Sequence, residues 1–332
     1  MLFASIIILH SILLFFIGLK FAKKYNFLDI PNFRKVHSKP TSYLGGLIIF
    51  LSYLFISIIV KYNTSIENII IFGSFCILIG VADDKYNLRA SAKFFMTLLP
   101  VTYLVLNGYN LNNLGHYQEI NVISLGRFSI IFTILCILLL MNAINYIDGI
   151  DNILLLITIT ALIYFRLLSD NPNTEKILLL MLLPLIINLI FNLAPTKFNL
   201  KIFLGNGGSL FLGFLISIIM IILAKYDSIH PAKLIWAVWL PIYDFLFINF
   251  IRIKNKINPL RGDRSHIQHI FLKYYKNDQL KSCLTLSLLN IAIIALGFSV
   301  NVYFSHLMSL LAFILVFFFY MFLRYNKNLI IK

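Results

Sequence analysis

The sequence predicts an all-α polytopic membrane protein, and three observations support this fold class. Apolar residues make up 60% of the 332 residues and the mean hydropathy is +0.89, which is too hydrophobic for a soluble domain. Apolar runs of about 17–25 residues, long enough to cross a bilayer as helices, recur along the whole chain. Basic residues cluster in alternate connecting segments, as the positive-inside rule expects.

The apolar runs define about eleven candidate transmembrane helices. They cover residues 1–19, 43–60, 66–82, 93–109, 128–146, 152–168, 176–194, 208–224, 231–251, 283–301 and 305–323. The first run lacks a basic segment before it and a small-residue cleavage site after it, so it is predicted to be a retained helix and not a signal peptide. No linker or repeat divides the chain, and residues 1–332 are predicted to form a single integral-membrane domain.

The net charge of +15 gives the chain an orientation. With the amino terminus outside and the carboxyl terminus in the cytoplasm, 22 of the 28 basic residues fall in inside segments and five in outside ones. Such a charge could also suit a nucleic-acid-binding protein. Its placement on alternate loops instead predicts contact with the headgroups of a lipid bilayer, and no nucleic-acid partner.

Acidic residues are scarce, and most of the thirteen fall on the predicted cytoplasmic side. These are Asp29, Asp83, Asp84, Asp148, Asp151, Asp244, Asp263 and Asp278. Carboxylates that can hold a hard cation therefore lie beside basic side chains that can hold phosphate. This combination is what phosphoryl transfer needs.

The most polar stretch, residues 142–151, follows directly on an apolar run. Three-residue spacing places Asn142, Asn145 and Asp148 near one side of a helix. Gly149 is expected to let the chain leave that helix, so that Asp151 turns back toward the same point. Polar groups at a membrane boundary are costly unless they bind something. The alternative is a polar network between helices without chemistry.

Asp83 and Asp84 form a second acidic centre at the end of the third apolar run. Adjacent carboxylates repel, so they predict a bound cation or a carboxyl that accepts a proton. The alternative is a solvated helix end paired with nearby basic residues. Lys93 opens the next run and can serve as a membrane anchor or as a phosphate ligand.

Three further stretches carry candidate binding groups. Glycines from Gly205 to Gly213 precede a helix, where they can admit an anion or let helices pack closely. Asp244 lies inside an apolar run and can pair with Arg252. Two basic loops offer phosphate ligands, although both also suit plain topology signals. Their candidate residues are Arg34, Lys35, His37, Arg261, Arg264, His266 and His269.

Taken in order, these stretches resemble the polyprenyl-phosphate N-acetylhexosamine-1-phosphate transferases, glycosyltransferase family 4, and look most like the WecA/TagO branch related to MraY. The similarity runs from residue 28 to about residue 269. The matching motifs are Leu28-Asp29-Ile30-Pro31, Asp83-Asp84 with Lys93, Asn142-x-x-Asn145-x-x-Asp148-Gly149-x-Asp151, Asn192, Gly205 to Gly213, Pro241-x-Tyr243-Asp244 and His266-Ile267-Gln268-His269.

The resemblance implies an Mg²⁺-dependent reaction, for which Mn²⁺ can substitute. The phosphate of undecaprenyl phosphate attacks the sugar-bearing phosphorus of a UDP-N-acetylhexosamine, and UMP leaves. This step starts a lipid-linked cell-envelope glycan, on the cytoplasmic face of the plasma membrane. The resemblance leaves open which N-acetylhexosamine is used, and it allows a homodimer.

The resemblance also implies roles for individual residues. Catalytic roles fall on Asp83, Asp84, Asp148 and Asp151. Metal binding falls on Asn142, Asn145, Asp148, Asp151 and Asn206. Substrate binding falls on Lys93, Asn192, Arg261, Arg264, His266, His269, Arg34, Lys35 and His37.

Two positions depart from the family pattern. The family has an Asp, implied to be a magnesium ligand, where this chain has Asn206, and its His-Ile-His-His reads His266-Ile267-Gln268-His269 here. An amide keeps an oxygen ligand but loses a negative charge, so weaker magnesium binding is expected. A catalytically impaired relative is therefore one alternative. An ion-coupled transporter is another, although the polar groups gather at one membrane face and not at the midplane.

Overall fold

The computed structural model describes residues 2–31, 39–60, 64–118, 120–195, 198, 200–258 and 265–326. These residues form thirteen α-helices and two small antiparallel sheets. The helices are α1 (Leu2–Lys24), α2 (Gly45–Val60), α3 (Thr64–Tyr86), α4 (Ala90–Leu106), α5 (Ser129–Ile147), α6 (Ile153–Leu168), α7 (Pro172–Leu193), α8 (Gly205–Lys225), α9 (Pro231–Leu234), α10 (Trp239–Lys254), α11 (Ile267–Tyr274), α12 (Gln279–Tyr303) and α13 (His306–Tyr325).

Each predicted span overlaps one of these helices, and α9 with α10 covers the ninth span. Seven helical segments in the described residues are long and apolar enough to cross a membrane, and α2, α4 and α6 are shorter apolar helices. Large apolar side chains such as Leu9, Leu99 and Leu315 stay exposed on the outside of the bundle, as a lipid-facing surface requires. The chain is therefore a multi-pass helical membrane protein, and its eleven crossings stay a prediction.

Helix α8 lies at the centre of the bundle. In its most apolar stretch 83% of the residues are buried, against 22% for α1 and 11% for α13. Small residues bring its neighbours close, because a Cβ on Gly46 of α2 would lie 2.0 Å from Cα of Gly208, and one on Gly80 of α3 would lie 2.3 Å from Cα of Gly207. Close packing is thus the role of two of the glycines near the start of α8.

The connections between helices gather at the two ends of the bundle. The segments after α1, α3, α5 and α7 and the start of α12 line one cavity. At this end β1 (Leu28–Asp29) pairs with β2 (Thr41–Ser42), and Ser42 bridges to Ile202 just before α8. The segments after α6, α8 and α12 line a second cavity, beside β3 (Asn113–Tyr117), which pairs with β4 (Asn121–Ser124).

The chain leaves α5 beside Gly149 and brings Asp151 to the same cavity as Asp148, as expected. Helix α5 ends at Ile147, and Asp148 forms an inverse γ-turn (φ −77°, ψ 59°), closed by the Gly149 N–H donating to the Ile147 carbonyl at 2.8 Å. The left-handed residue is Asn152 (φ 65°), and Gly149 has no positive φ. Gly149 is needed for space, because a Cβ there would lie 2.9 Å from Nε2 of Gln268.

Candidate active site

The first cavity brings together predicted residues that are far apart in the sequence. Its volume is about 710 Å³. Its walls include Asp84, Asp148, Asp151, Asn192, Asn206 and His269, all of which the sequence singled out. With Asp29, four carboxylates from the segment after α1, the end of α3 and the segment after α5 therefore line one space at one end of the bundle.

Asp84 belongs to α3, and its carboxylate lies at the start of α8. Its carboxylate accepts the backbone N–H of Asn206 at 2.9 Å and the Asn206 side-chain Nδ2 at 2.8 Å. Gly205 permits this approach, since it has φ +70° and a Cβ there would lie 2.6 Å from Oδ2 of Asp84. The anion expected at this helix start is therefore, in the protein alone, a carboxylate of the chain itself.

Asp83 lies behind the cavity wall and is buried. Its Oδ2 is 3.0 Å from Nζ of Lys93, which also lies 3.5 Å from Oδ1 of Asn145. Asn145 in turn donates from Nδ2 to Oδ1 of Asn206 at 3.0 Å and to Oγ of Ser209 at 2.6 Å. A continuous polar chain thus links Asp83 to Asp84 through Lys93, Asn145 and Asn206.

Asp148 has fewer hydrogen-bond partners than Asp84 or Asp151. Among the described residues, no group donates a hydrogen bond to it. Burial, together with the nearby charges of Asp84 and Asp151, raises the pKa of the Asp148 carboxyl to about 7. Its carboxyl therefore exchanges between the protonated and ionised forms near neutral pH, and a cationic ligand would favour the ionised form.

Asp151 is held by a residue that the sequence reasoning had counted only as a topology signal. The Nζ of Lys201 forms a salt bridge with Oδ2 of Asp151, and both residues line the cavity. The Gln279 side chain at the start of α12 lies against the same carboxylate. Lys201 stands just before the glycine-rich stretch, and that position is the sequence signal that could have identified it.

Asn192 lines the cavity and also fixes its wall. Its Oδ1 accepts the backbone N–H of Ile202 at 2.8 Å, which ties the end of α7 to the segment that leads into α8. The same segment carries Lys201 toward Asp151. Asn192 therefore helps to fix the shape of the cavity, because it holds the backbone of Ile202 in place.

Five predicted site residues among the described ones are absent from the cavity wall: Asp83, Lys93 and Asn145, described above, and Asn142 and His266. Asn142 donates from Nδ2 to the Leu138 carbonyl of its own helix at 2.7 Å and is absent from the cavity wall in the described residues. His266 is buried, with Nδ1 2.6 Å from Oδ2 of Asp244. Its neighbour His269, one helical turn on, is the histidine that reaches the cavity.

Asp244 organises the segment that carries these histidines. Its Oδ1 accepts from the Ile267 N–H at 3.0 Å, from Oη of Tyr320 at 2.9 Å and from Nη2 of Arg324 at 3.1 Å. The predicted pairing of Asp244 with Arg252 is therefore wrong. The arginine that pairs with Asp244 is Arg324, on the last helix. Helix α13, which carries none of the predicted site residues, anchors the start of α11.

Gln268, the second departure from the family pattern, is fully buried. Its Nε2 donates to the carbonyl of Tyr146 in the last turn of α5 at 2.7 Å. It thereby ties α11 to the turn that presents Asp148. The remaining predicted ligands lie outside the described residues; these are Arg34, Lys35, His37, Arg261 and Arg264.

The donor set fits a divalent cation only in company with a substrate. Within the described ranges, no three His, Cys, Asp or Glu side chains converge to hold a metal ion. Asp84 is occupied by Asn206 and Asp151 by Lys201, while Asp148 keeps its oxygens available. Mg²⁺ characteristically uses one or two carboxylates and completes its shell with water and substrate phosphates. The cavity fits that pattern and could do phosphoryl chemistry.

A known protein family matches the part of the chain that carries most of these residues. The profile of the family described as Glycosyl transferase family 4 matches residues 66–224, which include the two Asp pairs, the polar chain and the start of α8.

Full-length relatives extend the similarity. Proteins named undecaprenyl-phosphate alpha-N-acetylglucosaminyl 1-phosphate transferase, from Yersinia pestis and Escherichia coli K12, are 26% and 27% identical, each over 80% of this chain and 75% of the relative. A Bacillus subtilis protein, named a probable undecaprenyl-phosphate N-acetylglucosaminyl 1-phosphate transferase, is 31% identical over 77% of this chain and 72% of its own length.

Proposed function

The chain belongs to glycosyl transferase family 4, and on that premise we propose that it transfers N-acetylglucosamine 1-phosphate from UDP-N-acetylglucosamine to undecaprenyl phosphate. The observation that carries the proposal is the cavity in which Asp84, Asp148 and Asp151 meet beside Lys201. We propose N-acetylglucosamine as the sugar because the relatives are named for the transfer of its 1-phosphate. The product would start a lipid-linked glycan of the cell envelope.

In this reaction an oxygen of the lipid phosphate forms a bond to the sugar-bearing phosphorus, and the bond from that phosphorus to the bridging oxygen breaks. UMP departs with the bridging oxygen. Lys201 is suited to hold phosphate oxygens, because its ammonium is already at the cavity wall, paired with an anion that a phosphate could replace. His269 lines the same cavity.

A magnesium ion is part of the proposal. Asp148, together with Asp151 once Lys201 has moved to phosphate, would hold it, and the pyrophosphate of the nucleotide sugar would complete its shell. When bound, the ion would neutralise charge that develops on the phosphate oxygens. Asp84 would stay in its hydrogen-bonded position and add negative charge at the cavity wall, while the charge of Asp83 is balanced by Lys93.

We place this cavity on the cytoplasmic face of the membrane. The support is the charge of the chain, since 22 of the 28 basic residues fall in segments predicted to be inside, and described parts of three of these segments, after α1, α3 and α7, line the cavity. A nucleotide sugar is a cytoplasmic compound, which agrees with this orientation. The amino terminus is then outside and the carboxyl terminus inside.

The test is a reconstitution of the full chain in phospholipid nanodiscs with undecaprenyl phosphate and Mg²⁺. UMP release and a lipid-linked product are measured for UDP-N-acetylglucosamine, UDP-N-acetylgalactosamine and UDP-glucose. We expect UMP release that requires both substrates and is fastest with UDP-N-acetylglucosamine.

The variant Asp148→Asn should abolish this release, while the matched change Asp227→Asn, in the cavity at the other end of the bundle, should leave it intact. Release of UMP without lipid phosphate, or equal rates for both Asp variants, would contradict the proposal. Binding without turnover by the unmodified chain would favour an impaired relative.

A further inference from the structure

We propose that Asn145 and Asn206 form a paired amide relay that positions the ionised carboxylate of Asp84, and that they do not act as cation ligands. The relay runs from Lys93 through the two amides to Asp84. The proposal deepens the proposed function, on which it rests only for what Asp84 does during turnover.

The two ends of the relay fix its direction. The Lys93 ammonium can only donate hydrogen bonds, and an ionised carboxylate can only accept them. Oδ1 of Asn145 therefore faces Lys93, Nδ2 of Asn145 faces Oδ1 of Asn206 at 3.0 Å, and Nδ2 of Asn206 faces Asp84 at 2.8 Å. Turning either amide over would set two acceptors or two donors against each other, so the chain of bonds has one consistent orientation.

In the relay, both amide oxygens accept hydrogen bonds from other side chains of the protein. Oδ1 of Asn206, the atom that would bind a cation, accepts the Asn145 amide, and Nδ2 of Asn206 is turned to Asp84. The Asn145 amide also donates to Oγ of Ser209 on α8, so it connects α4, α5 and α8. Both side chains are thus used to hold three helix ends around one carboxylate.

The change Asn206→Asp would replace a hydrogen bond to Asp84 with repulsion between two carboxylates. It would set a carboxylate oxygen at the 2.8 Å position from which the Asn206 amide now donates to Asp84. Two ionised carboxylates at hydrogen-bond distance repel unless they share a proton or bind a cation. The amide therefore lets Asp84 stay ionised and ordered without a metal ion. In the Asn206→Asp variant, order at this site would depend on a divalent cation.

The experiment compares thermal unfolding of the full chain and its Asn206→Asp variant in nanodiscs, without substrates. Unfolding is followed by the fluorescence of Trp236 and Trp239, both buried. Each protein is melted in EDTA and across a MgCl₂ series. Asn173→Asp, the same substitution at an exposed position of α7, controls for the added charge.

We expect Asn206→Asp to lower Tm in EDTA by about 3 °C or more, and Mg²⁺ to restore most of that loss. The unmodified chain and the Asn173→Asp variant should shift with Mg²⁺ by less than about 1 °C. An Asn145→Ala variant should lower kcat for UMP release about tenfold with little change in KM, as expected of a positioning residue.

An Asn206→Asp variant whose Tm in EDTA equals that of the unmodified chain would overturn the relay. So would a Mg²⁺ shift in the unmodified chain that disappears in Asn206→Ala, because the amide would then be a ligand. These melts need no turnover, so an absence of UMP release would count against the proposed function and would leave the relay standing or falling on its own result.

Discussion

At the scale of single residues, the cavity contains carboxylates of the same type in different states. Asp84 is held by Asn206, Asp151 is held by Lys201, and Asp148 accepts no hydrogen bond from the described part of the chain. A buried carboxylate without donors is costly for the folded protein alone and becomes favourable when a cationic ligand arrives. The function we propose therefore centres on Asp148.

The change Asp148→Asn tests this assignment. It removes a charge but no hydrogen bond, so we expect kcat for UMP release to fall at least about 100-fold while Tm stays the same or rises. Asn206→Ala should be less damaging to turnover than either Asp148→Asn or Asp151→Asn. Equal losses of UMP release in all three variants would contradict this ranking.

The change Lys201→Gln tests the phosphate ligand. It removes the ammonium at the cavity wall, and we expect KM for the nucleotide sugar to rise about tenfold with a smaller change in kcat. Lys225→Gln is the matched control, because Lys225 lies at the other end of the bundle, where its Nζ contacts the Gly108 carbonyl. A KM equal to that of the control would mean that Lys201 only holds Asp151.

At the scale of helices, the site depends on how closely α3 approaches α8. Gly80 of α3 meets the backbone of Gly207, and Asp83 and Asp84 follow three and four residues further along α3. The crossing point therefore fixes where Asp84 meets the start of α8. The same contact therefore serves packing and the site.

Gly80→Ala should disturb both. A Cβ 2.2 Å from the Gly207 nitrogen forces backbone to move, and we expect a loss of a few degrees in Tm together with a fall in kcat. Gly73→Ala on the same helix meets only the edge of the Phe211 ring, at 2.7 Å, and is the milder control. A larger loss of Tm in Gly73→Ala than in Gly80→Ala would contradict this account of the crossing.

The other end of the bundle has a pH-sensitive cap. Nδ1 of His230 accepts the N–H of Ala232 at the start of α9, and its ring stacks on His306 with centroids 4.0 Å apart. Burial, then the charges of His306, Lys233 and His116, lower the pKa of His230 to about 4; hydrogen bonding to the His116 carbonyl opposes this shift. The neutral ring is thus the form that fits the folded protein.

Because the pKa of His230 is lower in the folded chain than the usual 6.5, its contribution to stability is complete above pH 6.5 and is lost as pH falls toward 4. We expect Tm to fall over that interval. His230→Asn keeps an acceptor for the Ala232 N–H without the titration, so its Tm should fall less. An identical Tm profile in both proteins would rule out His230 as the group responsible.

At the scale of the whole molecule, the sequence predicted the helices and several of the residues that line the cavity, while the roles of those residues stay predictions. Every span that hydropathy predicted overlaps a helix of the structure. The predicted family is confirmed by the comparisons. Residues such as Asp148 and Asp151 were found because polar side chains at a membrane boundary are rare enough to stand out.

The errors have a common physical origin, which is that long-range partners leave no local pattern. Nothing within one helix shows that Asp244 pairs with Arg324, which is 80 residues away, or that Lys201 pairs with Asp151. Helical spacing placed Asn142 beside Asn145, but the Asn142 amide turns to its own backbone. The exit from α5 beside Gly149 was predicted, but the space that Gly149 leaves for Gln268 and His269 of α11 was not, because those partners are far away in the sequence.

The central claim is that the cavity transfers a sugar phosphate and not a sugar. UDP-N-acetylglucosamine labelled with ³²P at the phosphorus that carries the sugar distinguishes the two, with the reconstituted chain, undecaprenyl phosphate and Mg²⁺. We predict that the label moves into the lipid fraction, that unlabelled UMP is released in equal amount, and that Asp148→Asn blocks both. Label retained in water-soluble UDP while the sugar enters the lipid would contradict the account.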